Sequence, residues 1–519
     1  MTRVRRALFL TSAGRYTGLV VNFFLIAILS RVLSPAEIGV SVIGTMIVGL
    51  IEMLRDIATP YIVQRIELDK DDTATAFTCM LAVTVILGAA LVIGAEPIGR
   101  CYGYSGLVPY FQLLAVSLLP GPVERPIMAL MQRDMAFERL TIITIVGTTA
   151  NAAVAVGTAL SGFSFMSFAW AALAGNVVTA VLALCLRPDY PVFRLSLTKW
   201  RRVLPMSAYN ASWALASRIP DVTSTLLLGR VRQMDTVGLY NRARTVNDLP
   251  GKLLLSGLAP VVFPALAEEA RAGRKMARPY LLALTIVTAL HWPGFLVLAV
   301  LARPIVEILL GPQWLGTVPL VQIIALANIL AFPKGLTQPS LMAMGAFRDL
   351  LLSAVVMLPV ALILATTAAT FGARTLAWSL VVTAPLGAYV ELSFIRRHAR
   401  FSWFELFVAV RKSVIVAVCT AAAPAILVGT LAPQAPIPLL LSAVPLAAAG
   451  WIGGLYLTAH PLADEFRHTA AAISARWAGA RAFTGLRNAM IARHETEPPT
   501  RIRKGGSRDG AGRWHRGMH

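Results

Sequence analysis

The sequence predicts an all-α integral membrane protein of about fourteen transmembrane helices, arranged as two parallel six-helix lobes around a central cavity with two extra C-terminal helices. Three observations predict it. The 519-residue chain is 57% hydrophobic and only 14% charged, where a soluble domain carries roughly 25% charged residues. Apolar runs recur from end to end, each near the length of about 20 residues that crosses a hydrocarbon layer as a helix. The second half of the chain also repeats features of the first.

Taken in order, with Pro, Gly and charges as punctuation, the spans fall at 13–33, 39–54, 75–95, 107–129, 140–160, 165–186, 205–228, 246–266, 280–301, 316–336, 350–370, 375–395, 413–432 and 436–457. The first follows Arg3, Arg5 and Arg6, as a signal peptide would, but no small-x-small cleavage site precedes Arg31, so it reads as an uncleaved span. Lys and Arg concentrate in alternate loops and in the tail. The other set of loops holds only Arg31, Arg100, Arg230, Arg232, Arg242, Arg244, Arg303 and Arg374. By the positive-inside rule both termini are cytoplasmic. Four of those arginines crowd between spans seven and eight, against the rule. The net charge of +21 follows this topology and the basic tail rather than nucleic-acid binding.

The repeat orders the spans. Arg31-Val32 followed by Gly39-Val40 recurs as Arg230-Val231 followed by Gly238-Leu239. Val108 to Ala115 (VPYFQLLA) recurs as Val318 to Ala325 (VPLVQIIA), with Pro97-Ile98 and Pro304-Ile305 before them. Six spans separate each pair, so the copies share one orientation, the parallel-repeat design of transporters that rock about a central site. The domains are therefore 1–186 (spans one to six), 187–400 (spans seven to twelve), 401–460 (the appended pair) and a basic tail, 461–519. In the tail Phe466, Ala470, Ile473 and Trp477 recur at helical spacing among arginines, which suits a helix on an anionic leaflet. Beyond Glu497 the composition predicts disorder.

Ionisable residues inside spans are costly and mark candidate sites. Ser207, Ala211, Ala214, Arg218, Asp221 and Thr225 make a small and polar stripe on span seven that predicts a cavity-facing side, and Pro220 predicts a kink. Arg218 supplies positive potential in this reading and Asp221 holds it or takes part in ion coupling; alternatively the two neutralise each other against a neighbouring helix. Lys252 adds charge to the same cavity or snorkels to the interface. Arg15 and Arg55 are candidates for the inner mouth, or anchors of the positive-inside kind. Gln112 and Gln322 are repeat-equivalent and bond between helices or to the hydroxyls of a substrate. Arg31 and Arg230 are outer-mouth candidates. The cysteines Cys79, Cys101, Cys185 and Cys419 lack metal-ligand spacing, so no metal site, cofactor or disulfide framework is expected.

With these residues in view, Leu29 to Gly39 (LSRVLSPAEIG) resembles the signature that ends the first helix of Wzx-type polysaccharide flippases of the multidrug/oligosaccharidyl-lipid/polysaccharide exporter superfamily. Ala129 to Phe137, Asp221 to Tyr240, Val262 to Ala265 and Leu310 to Trp314 resemble further stretches in the same order, over about Arg3 to Lys412. The long basic tail departs from the family's simplest pattern. The resemblance implies a flippase that carries undecaprenyl-diphosphate-linked oligosaccharide across a bacterial inner membrane by alternating access, beside polymerase and glycosyltransferase machinery and without nucleic acid.

Enzymatic readings are weak, because no G-x-S-x-G, Walker loop or H-E-x-x-H is present. A cation-coupled drug exporter of the same fold is the alternative, although span one carries no Asp or Glu between Arg15 and Arg31. A lipid II flippase is the other.

Overall fold

The computed structural model describes residues 2–463, apart from residues 57–58, 65–67, 189, 256–265, 267, 273 and 431–435. In helical stretches 2–13, 15, 60, 64, 190–191, 202–211 and 254–255 only the backbone is described. Residues 1–461 form one compact unit. The other unit, 462–519, falls almost wholly outside the described residues, and with it the amphipathic helix expected in the tail.

The first half contains α1 (Thr2–Val32), α2 (Pro35–Arg55), the short α3 (Thr59–Gln64), α4 (Lys70–Tyr102), α5 (Leu107–Leu118), α6 (Gly121–Arg133), α7 (Phe137–Leu160) and α8 (Met166–Leu186). The second contains α9 (Trp200–Val231), α10 (Met234–Pro250), α11 (Ala277–Val300), α12 (Ala302–Leu309), α13 (Val318–Leu330), α14 (Lys334–Ala343), α15 (Phe347–Phe371) and α16 (Ala373–Ala399). α17 (Trp403–Thr430) and α18 (Pro436–Leu457) follow. Eleven of the described helical segments are long and apolar enough to cross a membrane. Of the remaining three predicted spans, 13–33 falls on α1 and 205–228 on α9, while 246–266 begins on the last turn of α10 and the π-turn after it and otherwise lies almost wholly outside the described residues, so the structure is compatible with fourteen.

Sequence dictates the ends of these helices. Ser34 caps α2 in a capping box with Glu37, and Pro35 occupies its first turn, where a missing N–H costs nothing. Asp69 and Asp72 make the same box on α4. Spans four and ten are each broken midway, before Gly121 and around Pro333, because Pro120 and Pro333 withhold the backbone donor a continuous helix needs.

The two halves use the same packing scheme. In the first, α7 lies against α1 and α8, and α5 against α4 and α8. In the second, α15 lies against α9 and α16, and α13 against α11 and α16. Each contact recurs six spans later, as the sequence repeat requires. The halves meet mainly through α2 on α10, while α17 and α18 pair with each other and dock on α11. Their docking is held by Thr288 donating to Ser413 (2.9 Å) and Trp451 to the Ala289 carbonyl (2.8 Å). Glycine sets the spacing of that pair, since a methyl on Gly450 would lie 3.1 Å from the Cys419 carbonyl carbon.

One boundary differs from the sequence reading. Span eight was expected at 246–266, but α10 begins at Met234 and a π-turn, Gly251–Leu255, follows it. Arg242 and Arg244 therefore belong to a helix and not to a loop. The loop between α9 and α10 is reduced to Arg232 and Gln233, which removes half of the apparent breach of the positive-inside rule. Hydropathy misplaced the boundary because two arginines interrupt the apolar pattern, whereas tertiary partners make them tolerable in a buried helix.

Candidate functional site: a polar cavity and a glycine seam

A cavity of ≈ 270 Å³ opens within the second half, between α9, α10, α13, α14, α15 and α16. Its polar wall begins with Asp221 on α9. Arg244, one turn and a half before the end of α10, donates from Nη2 to Asp221 Oδ2 at 2.6 Å. The backbone carbonyl of Asp221 accepts from Thr225 (2.7 Å) and Ser224 (3.1 Å), so the carboxylate is carried on a turn whose polar groups are satisfied. Across the cavity Thr337 donates to Glu391 Oε2 at 2.6 Å. Lys334, first residue of α14, lines the same space. Asn247 donates to the Val321 carbonyl (3.1 Å) and Asn328 reaches Asn247 Oδ1 (3.5 Å), tying α10 to α13 at the cavity edge. Carboxylates, cations, amides and hydroxyls thus converge within a helical bundle, an arrangement able to bind a polar or charged group.

The expected site residues divide. Asp221 lines this cavity, as does Asp248, whose side chain stands 3.6 Å from Lys252. Lys252 itself is exposed on the π-turn. Arg218 is exposed on α9 and outside the cavity wall, so the charge that holds Asp221 comes from α10 rather than from its own helix. α9 is helical through Pro220. Of the polar stripe, Ser207 and Ala211 have no described side chain, and the same is true of Arg15. Gln322 donates to the Ala299 carbonyl (3.2 Å), an interhelical bond, while Gln112 is exposed on α5.

Arg55 sits in the first half, fully buried, where its Nη1 donates to the Leu118 carbonyl at 3.0 Å. It occupies the gap left by the broken fourth span, and Gly121 is glycine because a side chain there would collide with the guanidinium. Arg125 adds ion pairs to Asp56 (3.1 Å) and Glu124 (3.3 Å). The two broken spans therefore differ: an arginine plugs the gap in the first half, and the corresponding region of the second half is the cavity.

Sequence reasoning missed Arg244, Lys334, Thr337 and Glu391. Glu391 had a signal, a lone carboxylate inside an apolar run. Lys334 had another, its place directly after the helix-breaking Pro333.

The second feature joins the halves. Repeat-equivalent glycines Gly39 and Gly238 lie where α2 and α10 cross. A methyl on Gly39 would stand 2.7 Å from the Met234 carbonyl carbon, and one on Gly238 would stand 2.9 Å from that of Pro35. Pro35 and Met234 occupy equivalent places in the repeat, so the crossing has a pseudo-two-fold axis. Around it Arg31 Nη2 donates to the Ile308 carbonyl (2.8 Å), and Trp314 Nε1 (2.7 Å) and Gln313 Nε2 (2.5 Å) donate to that of Ser30. Arg242 lies 5.7 Å from the Trp314 ring centre, under the same seam. Arg31 is thus a bond across the seam, and Arg230 is exposed at the equivalent end of α9.

Residues 28–319 match the family described as polysaccharide biosynthesis protein. The succinoglycan biosynthesis transport protein ExoT of Rhizobium meliloti is 25% identical over 63% of this chain and 66% of its own length. The lipopolysaccharide biosynthesis protein WzxC of Escherichia coli is 23% identical over 58% of this chain and 62% of its own. The matched stretch therefore spans just under two thirds of these relatives. Among solved structures, the lipid II flippase MurJ in an inward closed conformation superposes with a TM-score of 0.69 at 10% identity, over 86% of this chain and 98% of that one. An inward-facing multidrug resistance MATE transporter superposes at 0.60 with 16% identity, over 74% and 94%. These two likenesses establish the fold.

Proposed function

Because the chain belongs to the polysaccharide biosynthesis protein family, we propose that it is a flippase that moves undecaprenyl-diphosphate-linked oligosaccharide across the bacterial inner membrane, without covalent chemistry. The observation that carries this reading is the pseudo-symmetric seam. Two repeat-related helices touch through glycine at one crossing, which is what a pair of bundles needs in order to close tightly and to separate again. Domains 1–186 and 187–400 are the moving bodies, 401–460 is an accessory pair, and both termini are cytoplasmic. A diphosphate headgroup calls for arginine, whose planar fork matches phosphate and whose charge survives burial. Arg218, exposed on α9, is the proposed headgroup contact. Asp221 and Arg244 then set the potential behind it. The names of ExoT and WzxC support a glycan as cargo.

The test is flipping of a fluorescent undecaprenyl-diphosphate glycan in proteoliposomes. Wild-type protein should translocate it. Arg218→Ala should lower the rate by about tenfold or more and Arg218→Lys should restore it in part, since a point charge replaces a fork at a cost on the order of 1–3 kcal/mol. Equal rates for empty and protein-containing vesicles, with the protein folded, would refute the reading, and normal flipping by Arg218→Ala would exclude Arg218 as the headgroup contact.

A further inference from the structure

α16 and α17 are joined by a turn of three residues, yet they diverge: α16 lies against α13 and α15, and α17 against α11 and α18. Between them is a groove of ≈ 300 Å³, floored by α11 and α13 and lying across α16 from the polar cavity, with Ala388 lining both. Its wall is hydrocarbon and aromatic: Trp292, Leu330, Phe332, Tyr389, Leu392 and Trp403. The polar atom of Trp292 does not face it freely, because Nε1 donates to the Ile329 carbonyl at 2.9 Å. Trp292 and Phe332 meet edge to face with centroids 5.5 Å apart, and Tyr389 and Trp403 stack at 5.5 Å. Such a wall suits an alkyl chain.

The end of the groove is different. Pro385, Ala388, Tyr389 and Leu392 are spaced three or four apart on α16, and Arg396 continues that face by one more turn. Its guanidinium lies 4.7 Å from the ring centre of Trp403, a residue of the groove wall. Its Nε donates to the Phe401 carbonyl at 2.8 Å, which fixes the fork, and among the described residues its two NH2 groups have no hydrogen-bond partner. Arg397 and Arg400 are exposed beside it, Arg400 held at the helix end with φ 56°. An apolar slot ending in a fixed arginine fork with two further arginines is complementary to one class of molecule, a chain with an anionic head.

We infer that this groove binds an anionic glycerophospholipid of the surrounding bilayer, with one acyl chain between α16 and α17 and the phosphate on Arg396 and Arg400. The occupant belongs to the leaflet at the α16–α17 turn, where Trp403 and Tyr389 take the interfacial places that amphipathic aromatics favour. The lipid would fill the wedge between the second half and the α17–α18 pair and so join them. The inference does not depend on what the protein transports.

Native mass spectrometry of the detergent-purified full chain tests it, with dioleoyl phosphatidylglycerol and dioleoyl phosphatidylcholine added separately. Wild type should retain the phosphatidylglycerol preferentially. Arg396→Gln should reduce that preference by about fivefold, the effect of one basic residue at an anionic surface, and Arg396→Lys should keep most of it. Leu330→Trp, which fills the slot, should remove retention of both lipids. A second measurement needs no variant: phosphatidylglycerol carrying a diazirine in one acyl chain should label α13 and α16 around Leu330 and Tyr389, displaced by excess phosphatidylglycerol and poorly by phosphatidylcholine. Labels spread evenly over exposed apolar faces such as α7 and α15, or equal displacement by both lipids, would overturn the inference. Equal retention of both lipids by wild type would do the same.

Discussion

Gly39→Ala adds one methyl group at the crossing of α2 and α10. That methyl would lie 2.7 Å from the Met234 carbonyl carbon, closer still to its oxygen, and 3.2 Å from the Gly238 nitrogen. Ordinary contact needs about 3.5 Å or more, so relieving the carbonyl oxygen requires the helices to part by about 1.5 Å or more. The atoms in the way are backbone and cannot swing aside as a flexible side chain would. Overpacking of this kind costs about 1–3 kcal/mol, and here the cost falls only on the state in which the seam is closed. A separated state has no such contact. The equilibrium should therefore move toward separation by a factor of about 5–150. Ser30, fully buried at the seam with no partner for its hydroxyl, is a suitable reporter. With Cys79, Cys101, Cys185 and Cys419 replaced, Ser30→Cys should react slowly with maleimide in detergent, and Gly39→Ala should accelerate the reaction at least fivefold. Gly238→Ala should do likewise from the other side, and the double variant should add little, because either methyl opens the same contact. If Gly39→Ala left the labelling rate unchanged in a well-folded protein, the seam would not be a closing contact that the two bundles make and break.

Further outcomes follow from the other buried groups. Arg244→Ala strands Asp221 in the cavity and should destabilise the protein by about 3–5 kcal/mol, while Arg244→Ala with Asp221→Ala should recover most of the loss; thermal unfolding in detergent reads both. His460, buried beyond the end of α18 with Ser413 at 3.3 Å, has its pKa pushed down to about 4 from the ordinary 6.5, first by burial and then by Lys412. Unfolded chains take up that proton at the ordinary value, so the stability held above pH 6.5 is lost as pH falls toward 4. After screening at the membrane edge this amounts to roughly 1–2 kcal/mol. His460→Gln should flatten the fall in midpoint between pH 7 and pH 4.5, and an unchanged slope would exclude His460 as its source.

Much of the architecture was legible because the bilayer imposes a simple code. Each crossing needs an apolar run of a set length, and thirteen of the predicted spans fall on helices, the eighth lying largely outside the described residues. Repeats such as Arg31 to Gly39 and Arg230 to Gly238 determined that the two halves are related, since equal local sequence builds equal local structure. The same repeat pointed to both glycines, though not to their contact. Pairing was decided elsewhere. That Asp221 answers to Arg244 and not to Arg218, three residues away on its own helix, depends on how α10 crosses α9. The start of α10 was hidden for the same reason: Arg242 and Arg244 look like loop residues until Trp314 and Asp221 are brought beside them. Hydropathy is a property of each residue, so the sequence by itself determined which segments leave water. Which buried charges meet, which broken span is plugged by Arg55 and which opens into a cavity depend on distances between segments far apart in the chain, and only the tertiary structure sets those.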